Sequence, residues 1–136
     1  MGSDIKKPQL SFTLFCDDVR QEVGGKMSFI GIFENIYANT FPAMHLRLTI
    51  INEWMGDNSD HDMSIRIYTP DRNSMIAQTK SRLSLSGRTK RCRHISIIIN
   101  LEFKTQGTYW VDIVLDRQVV SSLPLPVIQI GNQNFH

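Results

Sequence analysis

Met63-Ser64-Ile65-Arg66-Ile67-Tyr68 alternates apolar and polar side chains at almost every step. A period of two places Met63, Ile65 and Ile67 on one face of an extended chain and Ser64, Arg66 and Tyr68 on the other. That is the pattern of a half-buried strand. The same period runs through Ser11 to Cys16, Met27 to Ile32, Leu46 to Ile51 and Trp110 to Leu115. Met75 to Ser86, Val119 to Leu123 and Val127 to Ile130 complete the predicted strands. His94-Ile95-Ser96-Ile97-Ile98-Ile99-Asn100-Leu101 is nearly continuous in apolar residues, which predicts a central strand covered on both faces. Ile and Val together number 23 against 3 Ala. Branched side chains suit a pleated surface, and a chain poor in Ala rarely builds helices. Breakers at Gly24-Gly25, Phe41-Pro42, Gly56 to Ser59, Pro70 to Asn73, Gly87 and Gln106-Gly107 separate the strands. The expectation is an all-β, single-domain antiparallel sandwich of about eight or nine strands, with a barrel as the alternative. Pro124 and Pro126 remove ladder donors, so their segment must be an edge strand or a crossing between sheets.

The 136 residues suffice for one domain. It is expected over residues 10–130, with flexible segments at 1–9 and 131–136. Nothing approaches the roughly 18 consecutive apolar residues of a membrane span. The opening Met1 to Lys7 carries no apolar stretch, so no signal peptide is expected. Cys16 and Cys92 cannot build a disulfide framework or complete a zinc site by themselves. Two reduced thiols in a cytoplasmic protein is the favoured reading, with a single bridge left open.

Charge is segregated beneath the net +2. From Lys80 to His94 there are six cations and no acid, and Arg88, Lys90, Arg91 and Arg93 fall between Gly87 and His94. Read as a hairpin, this segment gathers four positive charges at one tip, a candidate contact for an anion, a nucleic acid or an acidic partner. No Phe, Tyr or Trp lies between Met75 and Asn100, so base stacking has no local platform. A solvated turn, or charge that guards a sheet edge, is the simpler reading. Glu53, Asp57, Asp60 and Asp62 form an acidic counterpart. Calcium at Asp57 to Asp62 would need a second loop, such as Asp17 and Asp18 or Asp71, because the spacing does not match an EF-hand. No metal and no cofactor is expected. Cys92 and His94 share a strand face, but an activated thiol would need an orienting group and an oxyanion site. No nucleophile elbow, zinc-protease motif, phosphate loop or dinucleotide fingerprint is present.

Phe15-Cys16-Asp17-Asp18-Val19-Arg20-Gln21-Glu22-Val23-Gly24-Gly25-Lys26-Met27-Ser28-Phe29-Ile30-Gly31 resembles the opening of a family of short bacterial proteins of unknown function. In that family a "CDD-x-R" strand end precedes a "GGK-x-S-x-IG" hairpin and an "FP" turn, here Phe41-Pro42. Gly107 to Ile113 with Leu123-Pro124-Leu125 resembles its closing hairpin and proline strand, with Asp116-Arg117 where that family usually has Asp-Gly. The resemblance implies a bacterial or phage source and an immunoglobulin-like sandwich, and it carries no activity. Within the opening, alternation places Asp18, Arg20 and Glu22 on one face and Asp17 on the other. With Lys26 they form a candidate polar cluster, for which a structural role outweighs a binding one. These readings favour a non-catalytic binding or assembly module with a protein partner or self-association. A small-ligand or nucleic-acid binder at Gly87 to His94 comes second. An enzyme using the Asp17 to Glu22 cluster is the remote alternative.

Overall fold

The computed structural model describes residues 7–131, and every regular element among them is a strand. The flexible segments expected at the two ends fall largely outside the described residues. Three strands form one sheet in the order β1 (Gln9–Cys16), β5 (Ala43–Met55), β8 (Cys92–Phe103). Five form a second sheet in the order β4 (Ile36–Ala38), β10 (Gln118–Gln129), β9 (Gly107–Leu115), β6 (Asp60–Tyr68), β7 (Met75–Ser84). The hairpin of β2 (Asp18–Gln21) and β3 (Met27–Ile30) stands apart. Its turn holds Gly24 and Gly25 at φ 92° and 86°, which residues with a Cβ adopt only under strain.

Alternation buries one face of each large sheet against the other. Phe15, Leu48, Ile50, Trp54 and Phe103 come from the smaller sheet; Met63, Ile65, Ile67, Tyr109, Val111, Ile113 and Leu125 come from the larger. The Tyr109 ring meets Phe103 edge-on at 4.8 Å between centroids, and its hydroxyl donates to the Thr105 carbonyl at 2.7 Å. The apolar body of Tyr109 thereby enters the core while its polar tip finds an acceptor.

The sandwich differs from the expectation in four places. There are ten strands, because β2 and the three-residue β4 are too short to leave a periodic signal. β4 pairs with β10 in parallel, not antiparallel. The two strands expected at 119–123 and 127–130 are the single strand β10. β8, expected to be central, is an edge of its sheet, and Ile97 and Ile99 stay 44% and 66% exposed on its outer side. The continuous apolar run therefore marks one buried face and one greasy outer face.

β10 is not an edge strand, since β4 and β9 flank it, but Pro124 and Pro126 lie in the stretch of it that precedes the pairing with β4. Opposite Trp110 and Thr108 of β9, neither can donate to that strand. Their nitrogens therefore point to β10's other side, the side on which the Ile130 N–H donates to the Ala38 carbonyl. β4 covers that side only from Val127 onward. The prolines thus remove the donors from the stretch left open just before β4 begins.

Candidate anion-binding face

The outer face of the five-stranded sheet collects positive side chains from separate elements. β6 turns Ser64 and Arg66 away from the core, opposite Lys80 and Gln78 of β7. On the other flank β9 sets Val114 and Asp112 opposite the same two residues. The β9–β10 turn adds Arg117. All of these but Asp112 line an open cavity of about 490 Å³, whose charged side chains are Arg66, Lys80, Arg82, Arg117 and Asp62. Asp62 is engaged by Arg82 at 3.0 Å. Among the described residues, Arg66, Lys80 and Arg117 form no ion pair. The Arg66 Nε is buried and has no hydrogen-bond partner.

The carboxylate nearest to Arg66 in register, Asp112, is taken by another arginine. Arg72 reaches Asp112 through both terminal nitrogens at 3.2 and 3.3 Å and also donates to the Ser122 hydroxyl. Ser122 in turn donates to Asp112 at 2.6 Å. The Arg72 guanidinium lies over the rings of Tyr68 and Trp110, 5.8 and 5.1 Å from their centroids. Such a bidentate, stacked arrangement suits arginine and not lysine. It neutralises the buried Asp112 and leaves Arg66 without a counter-charge.

Beside the cavity, His61 ties two loops together. Its Nδ1 lies 2.6 Å from Asp116 Oδ2 and its Nε2 lies 2.9 Å from Asp57 Oδ1. Burial alone would lower the His61 pKa, but the hydrogen bonds to Asp116 and Asp57 outweigh it and raise the value above the ordinary one. Bonding to His61 holds both carboxyls below the usual range, against the opposing effect of burial. Ser59 Oγ stands 3.1 Å from Nε2, so Ser59, His61 and Asp116 have the spacing of a nucleophile triad. Asp57 spoils that function: it accepts from the Ser59 hydroxyl at 2.8 Å and occupies the same ring nitrogen. An imidazolium held between two carboxylates has no lone pair with which to take the serine proton. Asp60 and Asp62, the other acids of this loop, face Arg82, and Ser84 donates to Asp60. Among the described residues no group of three or more His, Cys, Asp or Glu side chains is arranged to hold a metal ion.

The polar cluster expected at the opening hairpin is dispersed. Asp18 meets Arg20 at 3.7 Å and, across the fold, Arg47 at 3.3 Å. Glu22 accepts from the Ser28 hydroxyl at 2.8 Å. Asp17 packs against Gly31, and Lys26 is exposed at the turn. Exposed pairs of this kind contribute about 0 to 1 kcal/mol each. The basic segment at Gly87 to His94 is not a hairpin. β7 pairs with β6 and β8 pairs with β5, so the segment crosses from one sheet to the other. Adjacency in sequence suggests a tip, but burying both flanking strands sends them to different layers. Arg93 pairs with Glu53 at 3.1 Å, while Arg88, Lys90 and Arg91 are exposed. Burial raises the Cys92 pKa and lowers that of His94, which makes a thiolate–imidazolium couple unfavourable. Cys16 and Cys92 are both free. No helix among the described residues is long and apolar enough to cross a membrane.

A family profile aligns with residues 11–128 of the chain. The chain belongs to that family, DUF6941, a family of unknown function. No curated protein matches the sequence. Among solved structures, the chain is similar to an immunoglobulin-like protein from Pseudomonas aeruginosa, with a TM-score of 0.51 at 8% identity. The match covers 93% of this chain and 100% of that one, which shows a shared immunoglobulin-like fold. In this DUF6941 chain, the cations that converge are ones that sequence reasoning did not single out together. The period of two already places Arg66 with Ser64, and Lys80 with Arg82, on outward faces. The arrival of Arg117 beside them has no sequence signal.

Proposed function

We propose that the protein is a non-catalytic binding module that takes an acidic partner on the outer face of its five-stranded sheet. The observation that carries this reading is the convergence of Arg66, Lys80, Arg82 and Arg117 on one cavity, with Asp62 its single acid. A concave surface dominated by one sign of charge concentrates opposite charge and accelerates encounter. The saturated His61 supports binding over chemistry, because the one triad-like trio beside the cavity cannot act as a base.

A second reading places the acidic partner at the crossover, where Arg88, Lys90 and Arg91 form no ion pair among the described residues. Two charge-reversed proteins separate them: Lys80→Glu with Arg117→Glu, and Arg88→Glu with Lys90→Glu and Arg91→Glu. Retention on a heparin column and binding of a labelled DNA oligonucleotide and of polyglutamate are measured against salt. The face variant is expected to lose salt-sensitive retention, while the crossover variant keeps it. Loss only in the crossover variant transfers the function there. Equal behaviour of both variants and the parent protein removes the proposal.

A further inference from the structure

We infer that the cavity on the five-stranded sheet is a site for the phosphate group of a small phosphomonoester, held between Arg66, Lys80 and Arg117. This rests on the reading of that face as the binding surface and names the chemistry of its ligand.

Three cations without ion-pair partners surround one cavity, and the neighbouring carboxylate Asp112 is withheld from Arg66 by Arg72. A phosphomonoester carries about −1.5 to −2 charge near neutral pH and three strong acceptor oxygens. A single carboxylate offers one charge and two oxygens in a plane. The three cations approach from β6, β7 and the β9–β10 turn, a spread that a tetrahedral anion meets better than a planar one. Arg66 lines the cavity without an ion-pair partner, and a guanidinium offers a fork of donors that recognises a pair of phosphate oxygens. Ser64 and Gln78 add neutral hydrogen-bonding groups to the wall, and Val114 adds an apolar one. A volume of about 490 Å³ exceeds a bare phosphate and leaves room for the substituent it esterifies.

Arg117 sits at φ 72° and Arg72 at φ 63°, in the left-handed region that glycine adopts freely. Each costs roughly 1 to 2 kcal/mol relative to an unstrained position. One brings a cation to the cavity and the other removes the acid that would neutralise Arg66. The left-handed pair Asp116 (φ 49°) and Arg117 is what a two-residue hairpin turn between β9 and β10 requires, and that turn delivers Arg117 to the cavity.

The test is calorimetric titration of the full chain at low ionic strength with inorganic phosphate, pyrophosphate and adenosine monophosphate. Adenosine and citrate serve as controls. Arg117→Gly removes a cation while relaxing the turn, so it is expected to melt no lower than the parent protein and to bind at least tenfold more weakly. Lys80→Gln, at an exposed position, is expected to show the same loss with an unchanged melt. Adenosine is expected not to bind, and citrate to bind more weakly than adenosine monophosphate. Absence of binding by all three phosphates at about 10 mM, far above the millimolar range of a weak site, overturns the inference. So does equal affinity for citrate, or full affinity in both variants. If the heparin and polyglutamate retention still depends on Lys80 and Arg117 while the small phosphates fail, the binding face stands and the phosphate site falls.

Discussion

His61 bonds to Asp116, 55 positions further along the chain, as well as to Asp57, and the pKa directions of the three groups set how the join responds to pH. The imidazole lies above its ordinary 6.5, while Asp57 and Asp116 lie below their ordinary 3.8. The stability contributed by His61 is therefore full below pH 6.5 and is lost as pH rises through the raised folded value. The carboxylate contributions are present above 3.8 and are lost as pH falls through the lowered folded values. The join is strongest between those limits. Thermal melts from about pH 5 to about pH 9 should show stability falling on the alkaline side in the parent protein and a flatter profile in His61→Gln. At the optimum, His61→Gln should cost about 1 to 2 kcal/mol, the scale of charge-assisted hydrogen bonds to one partly buried and one exposed carboxylate. A similar residue-scale expectation concerns Arg117→Gly. Relief of a left-handed arginine, less the entropy that glycine adds to the unfolded chain, should leave stability equal or raise it by up to about 1 kcal/mol in a urea titration. The sequence shows an acidic loop and an Asp-Arg turn. It does not show that one histidine fastens them, because the contact spans 55 positions of the chain.

At the scale of elements, β10 carries its own protection. Pro124 and Pro126 face the unpaired side of the strand upstream of β4, so their replacement restores two donors to an open edge. The double variant Pro124→Val, Pro126→Val should fold as the parent does but self-associate, and sedimentation velocity at rising concentration will show it. A variant that remains monomeric at every concentration would mean that the prolines guard nothing. Much at this scale was legible. The period of two located the cores of β1, β5, β6, β7 and β9, and the two prolines marked a stretch of β10 with no strand partner on one side. The partition of strands between layers was not legible. β7 and β8 are neighbours in sequence with a basic, glycine-led connection, which reads equally as a hairpin or as a crossover. Nor could Ile97 and Ile99 of β8 declare themselves exposed: composition records what a strand carries, not which of its faces another layer covers.

For the molecule as a whole, stability rests on one interface between two sheets. Phe103 and Tyr109 meet across it, fully or almost fully buried. Phe103→Ala should cost about 3 to 5 kcal/mol, a large part of the margin of a domain this size, with the loss read from the urea midpoint. Tyr109→Phe removes only the bond to the Thr105 carbonyl and should cost about 1 kcal/mol. The candidate site belongs to this scale too, since its cations come from β6, β7 and the turn after β9, and only the assembled sheet brings them within reach of one ligand. The parallel pairing of β4 with β10 has a consequence in time. Ile36 must wait for Val127, about ninety residues downstream, before its strand has a neighbour. Contacts closed over such distances form late. On a nascent chain β4 therefore stays without its sheet neighbour until Val127 has been synthesised and released from the ribosome.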